Sequence, residues 1–389
     1  MAISKAVIAI IVIAVLVIAS VGAYELAIGN QTVTVTTTVG GSGTITQTQT
    51  QTVTVNGANY NKTLVDLAKA EGGAITCYCV MDTSDWPKMN AVLQQSFPWM
   101  TMNYVGLAPG DIYTKGLTDF QTGHVQADVF VDTLGPVVQL IAGGAVNPYN
   151  NYQESLTNIS SANRDPANMW HPAFNLPIIL EYNTNLVTSS QAGNLSKMTI
   201  EHILTNSTWN GKIALDKPST LNVAGTLFAS LFNADFGGNN ATWSTFLGQV
   251  KSNGIQWQAS GGDVYTAVET GAAAIGIGLL NDYLGGPSGA PVKIIYYPTT
   301  YVLPVASAMA KNAPHPYTAE LFLQWLSSYA GAVAFSLTGR TPYFGVVAQQ
   351  YFGNTIPPGT SLVSGGVFTG STYYTDANGW AGYYASVIA

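Results

Sequence analysis

The chain has 389 residues, of which 47% are apolar but only 8% are charged, against roughly 25% in typical soluble domains. Its 13 basic and 20 acidic side chains give a formal net charge of −7, and no basic run occurs. This balance argues against nucleic acid as a partner, and the length predicts at least two lobes rather than one core. A surface made polar by hydroxyls and amides is compatible with an extracellular, acidic setting.

The N-terminal segment, residues 1–29, is predicted to be a signal or membrane-anchor helix. Its uncharged run from Val7 to Tyr24 would extend about 27 Å as a helix, the lower limit for crossing a bilayer. Three fates stay open for it: cleavage near Ala23, cleavage after Ala6 as a prepilin-like leader, or retention as an uncleaved anchor. Each of them places the following residues outside the cell.

Residues 30–62 are predicted to form a Thr-rich stalk. Between Gln31 and Val55, eleven of 25 residues are threonine and none is charged, so the segment has too few large apolar groups to form a core. An O-glycosylated stalk and an unmodified disordered spacer are both open. The chain contains six Asn-X-Ser/Thr sequons, which agree with an exported glycoprotein. They begin at Asn30, Asn61, Asn158, Asn194, Asn206 and Asn240.

The only cysteines, Cys77 and Cys79, fall at alternate positions of a predicted strand. Side chains at this spacing lie on one face about 6.6 Å apart, whereas the Cβ atoms of a disulfide are about 3.8 Å apart. A bond between them would require a bend in the strand. Buried free thiols are therefore predicted.

From about Thr63 onward, helical and strand patterns alternate, which predicts an α/β fold. Apolar strands are predicted at "AITCYCVM", "WMTMNYVGL", "ADVFVDT", "GKIALDKP" and "AAAIGIGLLND". A long amphipathic helix, or two, is predicted in "YTAELFLQWLSSYAGAVAFSLTG". The hydrolase, zinc-protease and P-loop motifs are absent and the four histidines are scattered, so catalysis is not predicted.

Polar side chains follow four of these strands. Ligands of open α/β sheets bind beyond the carboxyl ends of the strands, so these side chains form the predicted binding set. At each position a helix cap or a turn is the alternative explanation. The set consists of Asp82 and Thr83 after the first strand, Thr133 after "ADVFVD", Ser219 and Thr220 after "KIALDKP", and Tyr283 after "AIGIGLLND".

The turn at Ser219 and Thr220 lies between a strand and a long apolar segment with helical spacing. The first N–H groups of a helix have no intrahelical partner and favour a polar or anionic group. The chain has only two arginines, Arg164 and Arg340, so backbone amides and hydroxyls are expected to make most of the hydrogen bonds to the ligand.

Several segments together carry a family resemblance. They include "AITCYCVMDTSDWPKMNAVLQQSFPWMTMNYV", "QADVFVDT", "PIILEYNTNLV", "GKIALDKPST" and "AKNAPHPYTAELFLQWLSS". In this order they resemble the extracellular solute-binding proteins of ABC importers, in the branch that includes ferric-iron binders. The match extends over roughly Ala74 to Tyr343. The leader "MAISKA" resembles the prepilin-like signals of some archaeal binding proteins.

The resemblance implies a two-lobed periplasmic-binding-protein type II architecture, preceded by the membrane helix and the Thr-rich stalk. The implied boundaries are 63–176 for lobe 1, 177–288 for lobe 2, and 289–389 for the return crossing, the C-terminal helices and the tail. The protein is then expected at the cell surface, tethered to the cytoplasmic membrane through its N-terminal helix, with an ABC permease as its partner.

The implied function is capture of a small polar or anionic solute between the lobes, including a metal ion such as ferric iron, with no cofactor and no catalysis. The ferric-iron branch places adjacent tyrosines where this chain has Tyr283 followed by Leu284. The pair Tyr296–Tyr297 lies in an apparent strand, where neighbouring side chains point to opposite faces. A surface structural or adhesive glycoprotein and a sugar-binding receptor are the alternatives.

Overall fold

The computed structural model describes residues 52–55, 58–151, 153, 165–218, 222–297, 299–343, 345–352, 356 and 360–363. The predicted anchor, residues 1–29, and most of the predicted stalk lie outside these ranges. Within them, no helix combines the length and the apolar character that a bilayer crossing requires.

The described residues form helices on both sides of a large sheet. The helices are α1 (Lys62–Ala70), α2 (Trp86–Ser96), α3 (Pro109–Gln121), α4 (Leu134–Ala142), α5 (Ser189–Leu195), α6 (Ile200–Thr205), α7 (Val223–Ala234), α8 (Asn240–Ser252), α9 (Gly261–Glu269), α10 (Leu280–Gly285), α11 (Pro316–Leu326), α12 (Tyr329–Ser336) and α13 (Gly345–Phe352).

The strands alternate with these helices, as the sequence predicts. They are β1 (Thr52–Val55), β2 (Ala58–Asn61), β3 (Ala74–Cys79), β4 (Thr101–Gly106), β5 (Val129–Thr133), β6 (Val146–Asn147), β7 (His171–Asn183), β8 (Ile213–Asp216), β9 (Gln256–Gln258), β10 (Ile275–Leu279), β11 (Val292–Ile295), β12 (Thr299–Ala310), β13 (Thr341–Pro342) and β14 (Ser361–Val363).

Local sequence explains where several helices begin. Proline occupies the first turn of α2, α3 and α11, where its missing N–H costs no hydrogen bond. The Asn61 side chain caps α1 by accepting from the N–H of Thr63 at 2.8 Å. Ser328 caps α12 and accepts from the N–H of Gly331, so the long predicted helical segment is two helices.

The main sheet has the strand order β4-β3-β5-β12-β7-β10-β8-β9, and β6, β11, β13 and β14 pair beside this path. The strand β7 connects two halves of it. Residues 171–177 pair with β12, whereas residues 178–183 pair with β10 and β11. We call the β3, β4, β5 and β12 side the first half, and the β8 to β11 side the second half. The predicted α/β class is confirmed.

The strand directions bring the carboxyl ends of the two halves face to face. In the first half, β3, β4 and β5 are mutually parallel and run in the same direction as β7, since β12 is antiparallel to both β5 and β7. In the second half, β10 is antiparallel to β7, and β8 and β9 follow β10. The carboxyl ends of β3, β4 and β5 therefore point toward the second half of the sheet. The carboxyl ends of β8, β9 and β10 point toward the first half.

The structure joins Cys77 and Cys79 as a disulfide, so the prediction of buried free thiols was wrong. Their Cα atoms lie 5.6 Å apart, which is within the usual range for a disulfide. The prediction assumed a fully extended strand, whereas this end of β3 is more compact. Both side chains are buried in the core of the first half.

The N-terminus of α11 is tied to the rest of the first half by two carboxylates. Buried Asp128 accepts hydrogen bonds from the N–H of Thr76 and the N–H of His315, each at 2.7 Å. Glu71, which follows α1, accepts from the N–H of Tyr317 at 3.2 Å and the N–H of Thr318 at 2.8 Å. The Thr318 hydroxyl also donates to Glu71 at 2.9 Å.

Replacing Glu71 by alanine should lower the free energy of unfolding by about 1–2 kcal/mol, because two first-turn N–H groups of α11 lose their acceptor. Urea denaturation of the purified chain measures the change. Asp66→Ala is the matched control, since Asp66 makes only an exposed ion pair with Lys62 on α1 and should have little effect. Equal losses in both variants would contradict the role of Glu71 as a cap.

Candidate functional site

A cavity of about 660 Å³ lies where the carboxyl ends of the two sheet halves face each other. Its volume is in the range of ordinary small-molecule sites. The first half contributes the loop between β3 and α2 and the segment that follows α12, and the end of α13, which packs beside Ile179 and Leu280, also lines the cavity. The second half contributes α9, α10 and the turn after it. The lining residues used below are Asp82, Asp85, Lys88, Tyr265, Thr266, Glu269, Asn281, Asp282, Leu284, Leu337 and Arg340.

Arg340 organises the wall contributed by the first half. It is 3% exposed, and one guanidinium nitrogen lies 2.5 Å from the Asp85 carboxylate and 3.1 Å from the carbonyl oxygen of Thr338. Its other terminal nitrogen lies 3.5 Å from the carboxylate of Asp82, whose side chain is 74% exposed. The guanidinium also stacks 5.7 Å from the ring centre of Phe174 on β7. The arginine thus joins the loop after β3 to the segment after α12.

Acidic side chains outnumber basic ones around the cavity. Among the described lining residues, Lys88 and Arg340 are the only basic ones, against Asp82, Asp85, Glu269 and Asp282. Lys88 also pairs with Asp85, at 3.6 Å. Both cations are therefore engaged by the same carboxylate.

Asp282 is the principal acid of the wall contributed by the second half. It lies on α10, directly after β10, and its carboxylate accepts a hydrogen bond from the Asn281 amide at 2.8 Å. Burial and then the charge of Asp82 raise the pKa of Asp282 to about 6, although Arg340 and the Asn281 hydrogen bond act in the opposite direction. The group is mostly ionised at neutral pH.

Glu181 lies on β7 behind this wall and is fully buried. Its carboxyl fits beside two glycines of β10, since a Cβ on Gly278 would lie 3.0 Å from one carboxyl oxygen and a Cβ on Gly276 would lie 3.6 Å from the other. Neither carboxyl oxygen has a hydrogen-bond partner among the described residues. Burial first, and then the charge of Asp282, raise the pKa of Glu181 well above its usual range.

The N-terminus of α7, the helix after β8, is already occupied by side chains. Asp216 accepts from the N–H of Val223 at 3.1 Å and from the N–H of Ala224 at 2.8 Å. Asn222 accepts from the N–H of Gly225 at 2.9 Å. Burial raises the pKa of Asp216 to about 7 despite these hydrogen bonds. The free N–H groups expected for a ligand at this helix therefore have internal acceptors.

The structure brings only part of the predicted binding set to the cavity. Asp82 lines it, whereas exposed Thr83 in the same loop does not. Thr133 is buried at the start of α4, where its hydroxyl lies 3.4 Å from Asp132. Tyr283 is half-buried and packs beside Leu280 rather than lining the cavity. Ser219 and Thr220 lie outside the described residues, and the ligand-binding roles of the whole set stay predictions.

The tyrosine pair Tyr296–Tyr297 does not form a paired site. Tyr297 packs into the main core and its hydroxyl donates to the carbonyl oxygen of Leu195 at 3.4 Å. Tyr296 packs into a different cluster, beside Phe352. Across the described ranges, no group of three or more His, Cys, Asp or Glu side chains is arranged to hold a metal ion.

Two residues of the cavity wall were missed by the sequence prediction although a signal existed. Asp282 immediately precedes the predicted Tyr283, and a carboxylate beyond a strand end is as strong a signal as a phenol. Arg340 is one of only two arginines in a chain with few charges, which makes its position informative. Its contact with Asp85, 255 residues away, has no local sequence pattern.

A mixed α/β sheet in two halves that share one strand and enclose a polar cavity is a periplasmic-binding-protein-like fold. Residues 121–340, more than half of the chain, match the family described as bacterial extracellular solute-binding protein. The chain belongs to this family. Its members are transport proteins of the cell exterior or periplasm rather than enzymes. No curated protein matches the sequence significantly.

Solved structures share the periplasmic-binding-protein-like fold at low sequence identity. A substrate-binding protein of an ABC transporter from Agrobacterium tumefaciens has a TM-score of 0.65 and 16% identity, covering 82% of this chain and 96% of its own. Iron-bound HitA from Pseudomonas aeruginosa has a TM-score of 0.61 and 14% identity, covering 79% and 99%. AfuA from Actinobacillus pleuropneumoniae, with fructose-6-phosphate bound, has a TM-score of 0.57 and 21% identity, covering 69% and 84%.

Replacing Arg340 by methionine should destabilise the fold by about 3 kcal/mol, because Asp85 would lose its closest positive partner while remaining buried. Chemical denaturation measures the loss. Lys88→Met is the matched control, since the longer and more exposed Lys88–Asp85 pair should contribute much less. A small loss in both variants would show that Asp85 does not depend on Arg340.

The chain should become more stable as the pH falls from about 7 to about 5. The pKa values of Asp132, Glu181, Asp216 and Asp282 are raised in the folded chain, so the folded state binds more protons than the unfolded state in this range. Each unit between a folded and an unfolded pKa corresponds to about 1.4 kcal/mol. Thermal unfolding at a series of pH values should show a rise on the order of 5 °C.

The variant Glu181→Gln tests the origin of this dependence. Glutamine has nearly the same shape but does not ionise, so the rise in melting temperature between about pH 7 and about pH 5 should be smaller. Asp66→Asn, at an exposed position, should leave the rise unchanged. Loss of stability on acidification in this range would contradict the raised pKa values.

Proposed function

We propose that this chain is the extracellular substrate-binding component of an ABC importer, which captures a small polar solute and delivers it to a membrane permease. The observation that carries the proposal is the polar cavity between facing strand ends of the two sheet halves. Membership in the solute-binding family supports the same conclusion. No covalent step is involved.

Capture would occur by closure of the two halves on the solute. Loops from both halves line the cavity, so a bound solute can contact both and stabilise the closed arrangement by its higher affinity for it. The chain passes between the halves along β7, which changes partners between Pro177 and Ile178, and returns from β11 to β12. These crossings are where a change of angle would be absorbed.

The change of partners in β7 supports the lobe boundaries at 63–176 and 177–288, with 289–389 as the returning segment and tail. The N-terminal 1–29 segment would tether the protein to the cytoplasmic membrane. Of the 30–62 stalk, the part before β1 would hold the binding lobes away from the surface, since β2 packs Tyr60 into the core. A cleaved leader would give a released protein instead.

Ferric iron receives little support as the solute. Some similar structures are described as iron-bound, but Tyr296 and Tyr297 pack in separate clusters, and the described residues contain no group of three His, Cys, Asp or Glu side chains arranged for a metal. A sugar-binding receptor is the second candidate, because Tyr265 and Tyr351 line the cavity together with carboxylates. Aromatic faces and hydrogen-bonding acids are a common combination around sugar rings.

Ligand-dependent stabilisation of the full-length chain in detergent tests the proposal. The panel contains ferric iron with and without carbonate, phosphate, sulfate, molybdate, thiamine, and mono- and oligosaccharides. A ligand at 100 times its Kd adds about 2.7 kcal/mol of stability, which a thermal scan detects readily. Small-angle scattering on a hit should show a smaller radius of gyration as the halves close.

The substitution Thr266→Trp tests whether the ligand binds in the cavity. Thr266 is an exposed lining residue of α9, so an indole there should fill the cavity and abolish the stabilisation without disturbing the core. Thr270→Trp is the matched control, because Thr270 lies one turn further along, outside the lining. Retained binding in Thr266→Trp would place the site elsewhere.

A further inference from the structure

At the cavity wall, the side-chain atoms that need a hydrogen-bond partner are acceptors rather than donors. The Asn281 side-chain oxygen is buried at the cavity wall without a hydrogen-bond partner among the described residues. The Asp282 carboxylate accepts from the Asn281 amide and has further acceptor capacity. A molecule that brings donors would satisfy these groups.

The charged side chains around the cavity also favour a molecule that brings hydrogen-bond donors, and they disfavour an anion. Arg340 is buried against Asp85 and Asp82, and Lys88 lies 3.6 Å from Asp85, so each cation of the wall already has a carboxylate beside it. An anion would instead meet Asp82, Glu269 and Asp282. Like charges repel one another more strongly in a partly buried cavity than in bulk water, because the effective dielectric is lower there.

Apolar side chains on both sides of the cavity favour a ligand with a carbon skeleton over a bare ion. Leu284 on α10 and Leu337 after α12 are 41% and 42% exposed and lie at the wall from opposite halves. Tyr265 and Phe352 add aromatic surface. A carbon skeleton would cover these side chains, and a positive group beside the tyrosine ring would gain a cation–π contact.

We propose that the cavity selects a small organic cation, an amine or a guanidine on a carbon skeleton, whose positive group is held by Asp282 with Asn281 and faces Asp82 across the cavity. This inference rests on the proposed function and specifies the solute class of the same site.

Cation binding should displace protons from this wall. Asp282 is faced by Asp82 and Arg340 from the first half, by Glu181 on β7, and by Asp216 on β8. A cation added to this set lowers the pKa of the carboxyls, whereas an anion raises it. The sign of proton exchange on binding therefore reports the charge of the solute.

Calorimetric titration of the full-length chain near pH 6, in two buffers of different ionisation enthalpy, tests this inference. The probes are agmatine and thiamine as organic cations, citrate and fructose 6-phosphate as anions, and maltose and sorbitol as neutral compounds. At least one cation should bind with release of protons. Asp282→Asn should weaken it by about tenfold to a hundredfold, and Asp263→Asn, on an exposed acid outside the lining, should not.

The outcomes separate the two proposals. Binding of an anion with proton uptake, or of a neutral compound equally well by Asp282→Asn, would overturn the cation inference and leave the proposed function standing. Failure of every probe to bind the folded chain would count against both. Cation binding that survives Thr266→Trp would also overturn the inference, because the cation would then bind outside this cavity.

Discussion

The strand β7 imposes the constraint on which the site depends. One continuous strand belongs to both halves of the sheet, so its direction relates the strand directions of one half to those of the other. Since β3, β4 and β5 run with β7 and β10 runs against it, the two sets of carboxyl ends face one another. The loops that carry Asp82 after β3 and Asp282 after β10 are thereby directed toward the same space.

The few charged side chains of this protein are paired differently on the two sides of the cavity. Arg340 serves two aspartates of the same wall, and its contact with Phe174 places it against β7, where the halves meet. Glu181 and Asp282, in contrast, pair with no cation among the described residues of the second half. Burying acids without a cation costs free energy that apolar residues in the same places would not. Such an arrangement is typical of a binding site rather than of a core.

Much of the fold followed from local patterns, whereas the site depended on contacts that no local pattern encodes. Apolar runs such as "ADVFVDT" predicted β5, and Asp82 was found because it follows a strand end. Asp282 was missed by one position, because α10 begins at Leu280 and its first turn directs Asp282 rather than Tyr283 to the cavity. Arg340 reaches Asp85 across 255 positions, and the cysteine pair depends on local compaction of β3. These are tertiary outcomes that strand spacing alone does not determine.

The same carboxyl groups couple stability and binding to pH in opposite directions. Protonation removes the cost of burying Glu181 and Asp282, and so favours the folded chain in acid. It also removes the negative charge that would attract a cation at the cavity wall. Since the pKa of Asp282 is about 6, its negative charge, and with it the attraction for a cation, decreases as the pH falls through that value. A receptor built this way holds a cationic solute in neutral surroundings and keeps its fold, at reduced affinity, in acidic ones.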